Sequence, residues 1–369
     1  MKKRFACVLI AILLAFSILT GLVSFADESI NDDLYTIDGY RLVSIESLTE
    51  DLATIEAHHI STETEKDTPS LRTLPSSCDN SSIMPLPDTN GQGSQGSCTA
   101  WAVTYAAMSR EEKVKWGWSN YSTEHKFSPA FVFNSLTDNG EGIHISTAMR
   151  FIVSNGACSL TIMGYNAGSI AAPNTLQQTV ASHFKAGSWN TITGVTDVKE
   201  QLLDGKGVVF AFKVPTTFSS SSPIIYGNET LKNSAHSVCI VGYDDNQYGG
   251  AFKFLNSWGS SWGQNGYGWI TYNAFNMTSV NNYGAGVGYI LNYGTDYSVR
   301  TNMGDVNNDG DVTAADARLI NRYSASLETY TDEQFVRADV DGNGIITAGD
   351  ARFVLRYSAS LETEFPYFV

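Results

Sequence analysis

One cysteine stands where a fold could activate it as a nucleophile. Cys98 follows a Gly- and Ser-rich turn that begins at Gln92, and it precedes the helix-compatible run Thr-Ala-Trp-Ala-Val. This order predicts a thiol at the N-terminus of a helix. Unpaired backbone N–H groups and the positive end of the helix dipole favour the thiolate there, and the thiolate is the form that attacks a carbonyl carbon.

A nucleophilic thiol needs a base, and His236 is the candidate. Of the six histidines, His236 alone stands where a strand begins, in Asn-Ser-Ala-His-Ser-Val-Cys-Ile. Asn256 opens the run Asn-Ser-Trp-Gly and supplies an amide that can orient an imidazole. Taken singly, a cysteine at an apolar helix start and a histidine in a strand are more often structural than catalytic. The three residues together, in this order, predict a hydrolytic site.

The segment 74–292 resembles the papain (C1) family of cysteine peptidases, whose His and Asn follow the Cys by roughly 130 to 150 residues. The resemblance implies that Cys98 is the nucleophile, His236 the general base and acid, and Asn256 the group that orients the imidazole. It also implies that the Gln92 amide, together with the Cys98 backbone N–H, holds the oxyanion of the tetrahedral intermediate. Such a donor contributes about 3 to 4 kcal/mol.

The same resemblance assigns residues on the substrate side of the site. Trp258 is the indole expected to shield the Asn–His hydrogen bond, and Gly140 and Gly142 resemble the wall that pairs with the substrate backbone. The chain also departs from the family pattern, because Gln95 stands where many members carry a disulfide cysteine. That bridge cannot form here. The Gly-Ser-Cys-Thr-Ala form is closer to bacterial members than to eukaryotic ones.

The chain begins with a predicted export signal. The basic start Met-Lys-Lys-Arg, the apolar run 5–23 and a small-x-small site ending at Ala26 predict cleavage after Ala26. We therefore expect a secreted, extracellular protein without membrane contact after signal removal; an uncleaved anchor is the alternative. Residues 42–58 carry an amphipathic pattern that could form one helix. Because the family's pro-domain helix signature is absent, a pro-region and a spacer both fit residues 27–74.

Net charge limits the classes of partner that the protein can bind, and cysteine content limits its disulfides. Lys and Arg total 23 against 38 acidic residues, and the net charge of −15 repels nucleic acid and anionic lipid surfaces. A polypeptide substrate and no nucleic-acid partner are expected. The cysteines are too sparse for a disulfide scaffold. Whether a pair forms among Cys78, Cys158 and Cys239 stays open at this point.

The C-terminal part repeats itself. The run 316–328 returns at 350–362 with three changes, and each copy follows an acidic loop. Each loop has oxygen-bearing side chains at positions 1, 3 and 5, a Gly at position 6 and an Asp at position 12, a spacing that surrounds Ca²⁺ with oxygen ligands. The expected ligands, with position 7 acting through its carbonyl, are Asp305, Asn307, Asp309, Asp311 and Asp316, then Asp339, Asp341, Asn343, Ile345 and Asp350.

These two loop–helix units resemble a type I dockerin, because the last ligand is Asp rather than the Glu of helix–loop–helix sensors. The resemblance implies two calcium ions and, as partner, a cohesin module of a scaffoldin. It also implies a cellulosome-associated location. No cofactor is expected for catalysis. A calcium-stabilised repeat without a partner is the alternative.

The sequence thus predicts an α+β fold: a two-lobed papain-like domain, with a helical lobe and a β-barrel-like lobe, followed by a small all-α calcium-binding dockerin. The expected segments are a signal peptide 1–26, a pro-region or spacer 27–74, a peptidase domain 75–292, a linker 293–303 and a dockerin 304–369. The predicted function is that of a secreted cysteine endopeptidase tethered to a cellulosome scaffold. The main rival is a catalytically inactive papain-fold binding or inhibitory protein on that scaffold. A hydrolase of cell-wall amides is a third possibility.

Overall fold

The computed structural model describes residues 36–50, 52–60, 73–118, 120–137, 140–182, 184–281, 285–293, 303–341, 345–363 and 365. The predicted signal peptide, the start of the predicted pro-region and most of the predicted linker lie outside these ranges. Within them, no helix combines the length and the apolar character needed to cross a membrane.

Helices form the first half of the papain-like region. The central helix has three consecutive segments, Cys98–Ala100, a π-helical stretch Trp101–Met108, and Ser109–Trp116. Every residue of the π-helical stretch is buried, as expected for a helix that is apolar on all sides. Gly117 ends the helix in the left-handed conformation that favours glycine, with φ at 72°. The helix predicted after Cys98 is confirmed.

Two shorter helices, Pro129–Leu136 and Ile145–Asn155, pack against the central helix. Proline suits the start of the first one, because the N–H group at that position has no partner within a helix. The second begins three residues after Gly142 and buries Ile145, Ser146, Ala148, Met149 and Ile152. Its start therefore lies beside the predicted substrate wall. The helix Thr175–Ala181 completes this half, whereas the helix Gly194–Leu203 packs on the sheet.

The second half is a sheet with the order β4-β10-β5-β7-β8-β9-β6, and β3 pairs with part of β7. All described pairs in it are antiparallel except the parallel pair β6–β9. The strands are β3 Ser77–Asp79, β4 Ser188–Thr193, β5 Val208–Pro215, β6 Ile224–Ile225, β7 Leu231–Asp244, β8 Ala251–Leu255, β9 Tyr267–Thr271 and β10 Val287–Asn292. The strand-like apolar runs seen in the sequence correspond to β5, β7 and β8.

The barrel-like lobe is not a closed barrel, because the described sheet is open. Strands β4 and β6 stand at its two ends and do not pair with each other. The free edge of β4 is covered instead by the chain near His58, since Thr191 N donates to His58 O and Ile60 N donates to Thr191 O. A covered edge needs no closure. The four described cysteines, Cys78, Cys98, Cys158 and Cys239, are free thiols.

Residues 36–50, which we call the strap, lie on the papain-like region. They begin with a hairpin of β1 Thr36–Ile37 and β2 Tyr40–Arg41, whose Asp38–Gly39 turn has positive φ at both residues. The amphipathic run 42–58 does not form one helix, because among its described residues only Leu52–Ala57 is helical. Before this helix, backbone hydrogen bonds between Val43 and Ala235 hold the chain in an extended conformation.

Three helices form the C-terminal unit, in agreement with the all-α prediction for its described residues. They are Ala314–Ser324, Asp332–Ala338 and Ala348–Ser358. Capping boxes start all three, and in the first and the third the N3 residue is the Asp at loop position 12. This Asp, which is shorter than the Glu of helix–loop–helix sensors, therefore caps the helix start and also belongs to the loop.

Candidate active site

The structure places Cys98 at the start of the central helix, completely buried. Burial raises the pKa of its thiol, while hydrogen bonds with Ser237 and Thr99 act in the opposite direction. The sequence predicted a thiolate at this helix start. In the described structure burial is the largest effect, so the pKa of the thiol is raised and not lowered as expected for a helix start.

His236 lies on β7 and is bonded to Asn256, which follows β8. The distance from His236 Nε2 to Asn256 Oδ1 is 2.7 Å. Asn256 Oδ1 also accepts from the Ser257 backbone N–H, which can only donate, so this atom is the amide oxygen. His236 Nε2 must then carry the proton. In a neutral ring, Nδ1 is left with the lone pair, and this buried atom has no hydrogen-bond partner.

One side-chain hydrogen bond joins the central helix to the sheet. It is made by the residues next to the predicted thiol and the predicted imidazole. Thr99 Oγ1 lies 3.0 Å from Ser237 Oγ, although 138 residues separate them. These two residues directly follow Cys98 and His236. The contact therefore brings the predicted nucleophile beside the strand that carries the predicted base.

Trp258 is completely buried and packs on the imidazole, with ring centroids 4.5 Å apart. Rings of Phe218 and Trp262 enclose it from other sides. Burial lowers the pKa of His236 to about 4, and the Asn256 hydrogen bond opposes that shift. Trp258 thus lies where an indole keeps water from the His–Asn bond, and not on an open substrate surface.

Gln92 is buried in the turn before the helix. Its Nε2 donates to Arg41 O at 2.8 Å and to Gln95 O at 3.0 Å, and its Oε1 accepts from Ser257 Oγ at 2.6 Å. The turn is tight, because a side chain at Gly91, where φ is 66°, would collide with the Ser257 carbonyl oxygen. Gln92 and Asn256 are therefore linked through Ser257.

The strap occupies the groove between the two halves. Val43 N donates to Ala235 O at 3.2 Å and Ala235 N donates to Val43 O at 2.8 Å, directly before His236. A Cβ atom on Gly142 would lie 2.9 Å from Val43 Cβ. The carbonyl oxygen of Arg41, also in the strap, accepts the hydrogen bond from the Gln92 side-chain amide. The predicted wall residue Gly142 thus contacts the protein's own chain, and Gly140 lies beside it near Gly96.

A buried carboxylate fixes the far end of the strap. Glu50 Oε1 accepts from Ser146 N at 3.0 Å, and Glu50 Oε2 accepts from Ser146 Oγ at 2.8 Å. Glu50 N donates to Asn281 Oδ1 at 2.8 Å, and His144 Nδ1 lies 3.7 Å from the carboxylate. Because Ser146 is at the N-terminus of the helix Ile145–Asn155, the helix dipole also favours this negative charge.

In the C-terminal unit, the second acidic loop has the arrangement of a cation site. Ligand atoms of Asp339, Asp341 and Asp350 lie within 4.8 Å of one another. Asp350 Oδ1 is buried without a hydrogen bond, and burial and the charge of Asp341 raise the pKa of Asp350 to about 6. Three crowded carboxylates fit a hard divalent cation. Of the other expected ligands, Ile345 is half-buried, and Asn343 lies outside the described residues.

The first acidic loop is closed by its own hydrogen bonds. Asp316 accepts from the backbone of Val306, Asn307 and Thr313, and Asp305 accepts from Asp309 N and Gly310 N. The remaining expected ligands continue this chain of bonds, since Asn307 Oδ1 accepts from Asp309 N and Asp309 Oδ1 accepts from Asp311 N. Among the described residues, a compact group of three carboxylates is found in the second loop and not in the first.

The fold first defines a class: α+β proteins in which a helical layer bearing a thiol packs on an antiparallel sheet bearing an imidazole–amide pair. Residues 74–286 match the family model described as papain family cysteine protease. Residues 303–357 match the dockerin type I domain. The chain belongs to the papain family of cysteine proteases and carries a type I dockerin, a domain that generally binds calcium.

Known proteins similar to the chain agree with this family. A peptidase C1-like protein of Acanthamoeba polyphaga mimivirus is 29% identical over 201 residues, 48% of this chain and 61% of that protein. Cysteine proteinase 3 of Entamoeba histolytica is 28% identical over 234 residues, 59% of this chain and 70% of that protein. The chain thus covers less than two thirds of the mimivirus protein.

Two solved structures share the fold. Xylellain, a cysteine protease from Xylella fastidiosa, superposes with a TM-score of 0.54 at 22% identity, covering 69% of this chain and 98% of that one. The digestive procathepsin L2 proteinase from Tenebrio molitor larval midgut gives 0.52 at 20% identity, covering 76% and 88%. At these identities the likeness shows the fold alone.

The structure also reveals residues that the sequence did not single out. The strap residues Arg41, Val43 and Glu50 contact the site, and Tyr165 bonds to the turn before Cys98. The only sequence signal was the Asp-Gly turn of the hairpin at 38–39. Single polar contacts between distant residues leave no periodic pattern.

Proposed function

We propose that the protein is a cysteine endopeptidase that hydrolyses peptide bonds through Cys98, His236, Asn256 and Gln92. One observation carries this proposal. Asn256 fixes the proton of His236 on Nε2, and the unpartnered Nδ1 is left as a base on the strand beside the thiol. An inactive binding protein has no need for an oriented imidazole with a free lone pair.

The reaction follows from these atoms. Transfer of the Cys98 proton to His236 Nδ1 gives a thiolate, which bonds to the carbonyl carbon of the substrate. The Gln92 amide and the Cys98 N–H stabilise the resulting oxyanion. The imidazolium then protonates the leaving amine as the C–N bond breaks, and a thioester remains. Water loses a proton to Nδ1, attacks the thioester and releases the carboxylic acid as the thiolate leaves.

The described form is dormant under this proposal. The strap accepts the hydrogen bond of the Gln92 side-chain amide, pairs with the backbone of Ala235 and contacts Gly142. A substrate chain therefore cannot enter. We assign residues 27–74 to a pro-region instead of a spacer. Gly140 and Gly142 become the substrate wall once the strap has left.

The dockerin supports a tethered enzyme. Carboxylates of both loops would hold two calcium ions, which would supply the charge that keeps each loop closed around its ligands. The folded module would bind a cohesin of a scaffoldin, placing a secreted peptidase in an extracellular cellulosome. Binding to immobilised cohesin, with and without EDTA, tests this part.

Cleavage of casein by the full chain, after incubation at acidic pH to release the strap, tests the peptidase. We expect Cys98→Ala to abolish turnover and epoxide labelling at that position, and Cys78→Ala, which removes a half-exposed thiol, to leave both unchanged. Undiminished cleavage by Cys98→Ala would refute the assignment. A wild-type protein that binds polypeptides but never cleaves them would favour the inhibitory alternative, and cleavage of muropeptides alone would favour the cell-wall one.

A further inference from the structure

The turn that precedes Cys98 is held by one tyrosine from a distant loop. Tyr165 Oη lies 2.8 Å from Gln92 O, 2.9 Å from Gln95 Oε1 and 2.7 Å from Ser97 Oγ. These partners are spread over the whole turn from the oxyanion amide to the residue before the nucleophile. A single hydroxyl thus contacts both ends of the segment.

The donors and acceptors around this hydroxyl can be assigned. Gln95 Nε2 donates to Ser169 O at 3.0 Å, so Gln95 Oε1 is the oxygen that faces Tyr165. Both Gln92 O and Gln95 Oε1 can only accept, and Tyr165 shares its one proton between them. Ser97 Oγ must then be the donor to Tyr165 Oη. The network therefore has a fixed direction.

The position of the Ser97 hydroxyl affects the helix start. Ser97 is the N-cap residue, a position where serine usually accepts from an N–H group of the first turn. Here it makes no such side-chain cap hydrogen bond. Its hydroxyl is turned to Tyr165 instead. The N–H groups at the thiol are left without this cap and can serve a developing negative charge.

Tyr165 itself is held in place. Its ring meets the ring of Trp101 edge-on, with centroids 4.9 Å apart, and Trp101 lies in the central helix one turn after Cys98. Burial raises the pKa of Tyr165 to about 12, so the hydroxyl keeps its proton at acidic and neutral pH. Gln95 occupies the position where the chain lacks a disulfide cysteine, and its side chain is part of this network.

We propose that Tyr165 is a positioning residue, whose hydroxyl fixes the Gln92–Ser97 turn so that the oxyanion amide and the uncapped start of the Cys98 helix face the same substrate carbonyl. This inference rests on the proposed peptidase function. Tyr165 acts through Gln92 and Ser97 and does not touch the reacting atoms.

Tyr165→Phe tests the role, because it removes the hydroxyl and keeps the ring on Trp101. With kcat normalised to thiols titrated by an epoxide, we expect kcat to fall about tenfold with KM within about twofold. Tyr243→Phe is the matched control, since it removes a hydroxyl that donates to Pro75 O at 2.8 Å at the far end of β7. It should leave kcat unchanged.

Two further measurements separate positioning from loss of stability. Ser97→Ala should lower kcat similarly, and the double variant with Tyr165→Phe should be no slower than the slower single variant, because both changes break one network. The pH profile of Cys98 alkylation, which needs no substrate, should shift to higher pH in Tyr165→Phe but not in Tyr243→Phe.

Equal kcat and equal alkylation profiles in Tyr165→Phe and Tyr243→Phe would overturn the inference, as would a loss confined to KM. A wild-type protein without thiol-dependent turnover would instead overturn the proposed function. In that case the alkylation profiles still decide whether Tyr165 positions the thiol.

Discussion

Replacing Glu50 with glutamine removes one negative charge from the strap and leaves its shape unchanged. Glu50 is 8% exposed, and its carboxylate accepts two hydrogen bonds from Ser146 at the start of a helix. Glutamine can accept only one of them, and it gains nothing from the helix dipole. We therefore expect Glu50→Gln to weaken the hold of the strap on the groove.

The magnitude follows from the lost interactions. A hydrogen bond to a charged group contributes about 1.5 to 3 kcal/mol, and glutamine retains part of the contact, so we take a loss of about 2 kcal/mol. A tenfold change in an equilibrium corresponds to about 1.4 kcal/mol. The fraction of molecules with the strap released should thus rise roughly 30-fold.

Alkylation of Cys98 measures this fraction under the proposed release of the strap, because the thiol is completely buried in the described form. Labelling of each cysteine is followed by peptide mass spectrometry at neutral pH, with the half-exposed Cys78 as an internal reference. Glu46→Gln is the matched control, because Glu46 is an exposed carboxylate on the same strap. Equal labelling rates at Cys98 in the two variants would refute the reasoning. A parallel rise at buried Cys158 would indicate global unfolding.

Three further predictions concern other parts of the molecule. Burial lowers the pKa of His236 to about 4 from an ordinary 6.5, so protonation of His236 favours the uncovered form. Labelling of Cys98 relative to Cys78 should therefore rise as the pH falls from 6.5 towards 4, and it should stay constant above 6.5. Gln92→Ala should lower kcat about 10²- to 10³-fold in the uncovered enzyme, measured with a fluorogenic peptide; an unchanged kcat would exclude Gln92 as oxyanion donor. EDTA should lower the calorimetric melting temperature of the C-terminal unit by several degrees and abolish cohesin binding, because the second-loop carboxylates repel one another without a cation; an unchanged transition would contradict calcium-dependent folding.

Local patterns in the sequence were sufficient for the elements that carry the predicted catalytic residues. The Gly-rich turn and the apolar run after Cys98 predicted a helix, and the apolar run after His236 predicted a strand. Both are present. Each element is apolar enough to be buried whatever its neighbours are, so its type depends little on the rest of the fold.

The strap depends on distant partners and could not be predicted in this way. An amphipathic pattern over 42–58 favours a helix, but Val43 gives its backbone hydrogen bonds to Ala235, nearly two hundred residues away. Tertiary contacts outweighed a weak local preference. The covering of the β4 edge by residues near His58 likewise depends on hydrogen bonds between residues far apart in the chain.

Burial connects the position of the strap with the protonation of Cys98 and His236. Burial raises the pKa of Cys98 and lowers that of His236, so both changes oppose transfer of the proton from sulfur to Nδ1. In the described form, burial therefore favours the neutral thiol–imidazole pair over the ion pair. Under the proposed release of the strap we expect both groups to become less buried, while the Thr99–Ser237 and Asn256–His236 bonds, which do not involve the strap, keep the pair aligned. Access of substrate and activation of the nucleophile are then expected to be coupled, because one segment controls both.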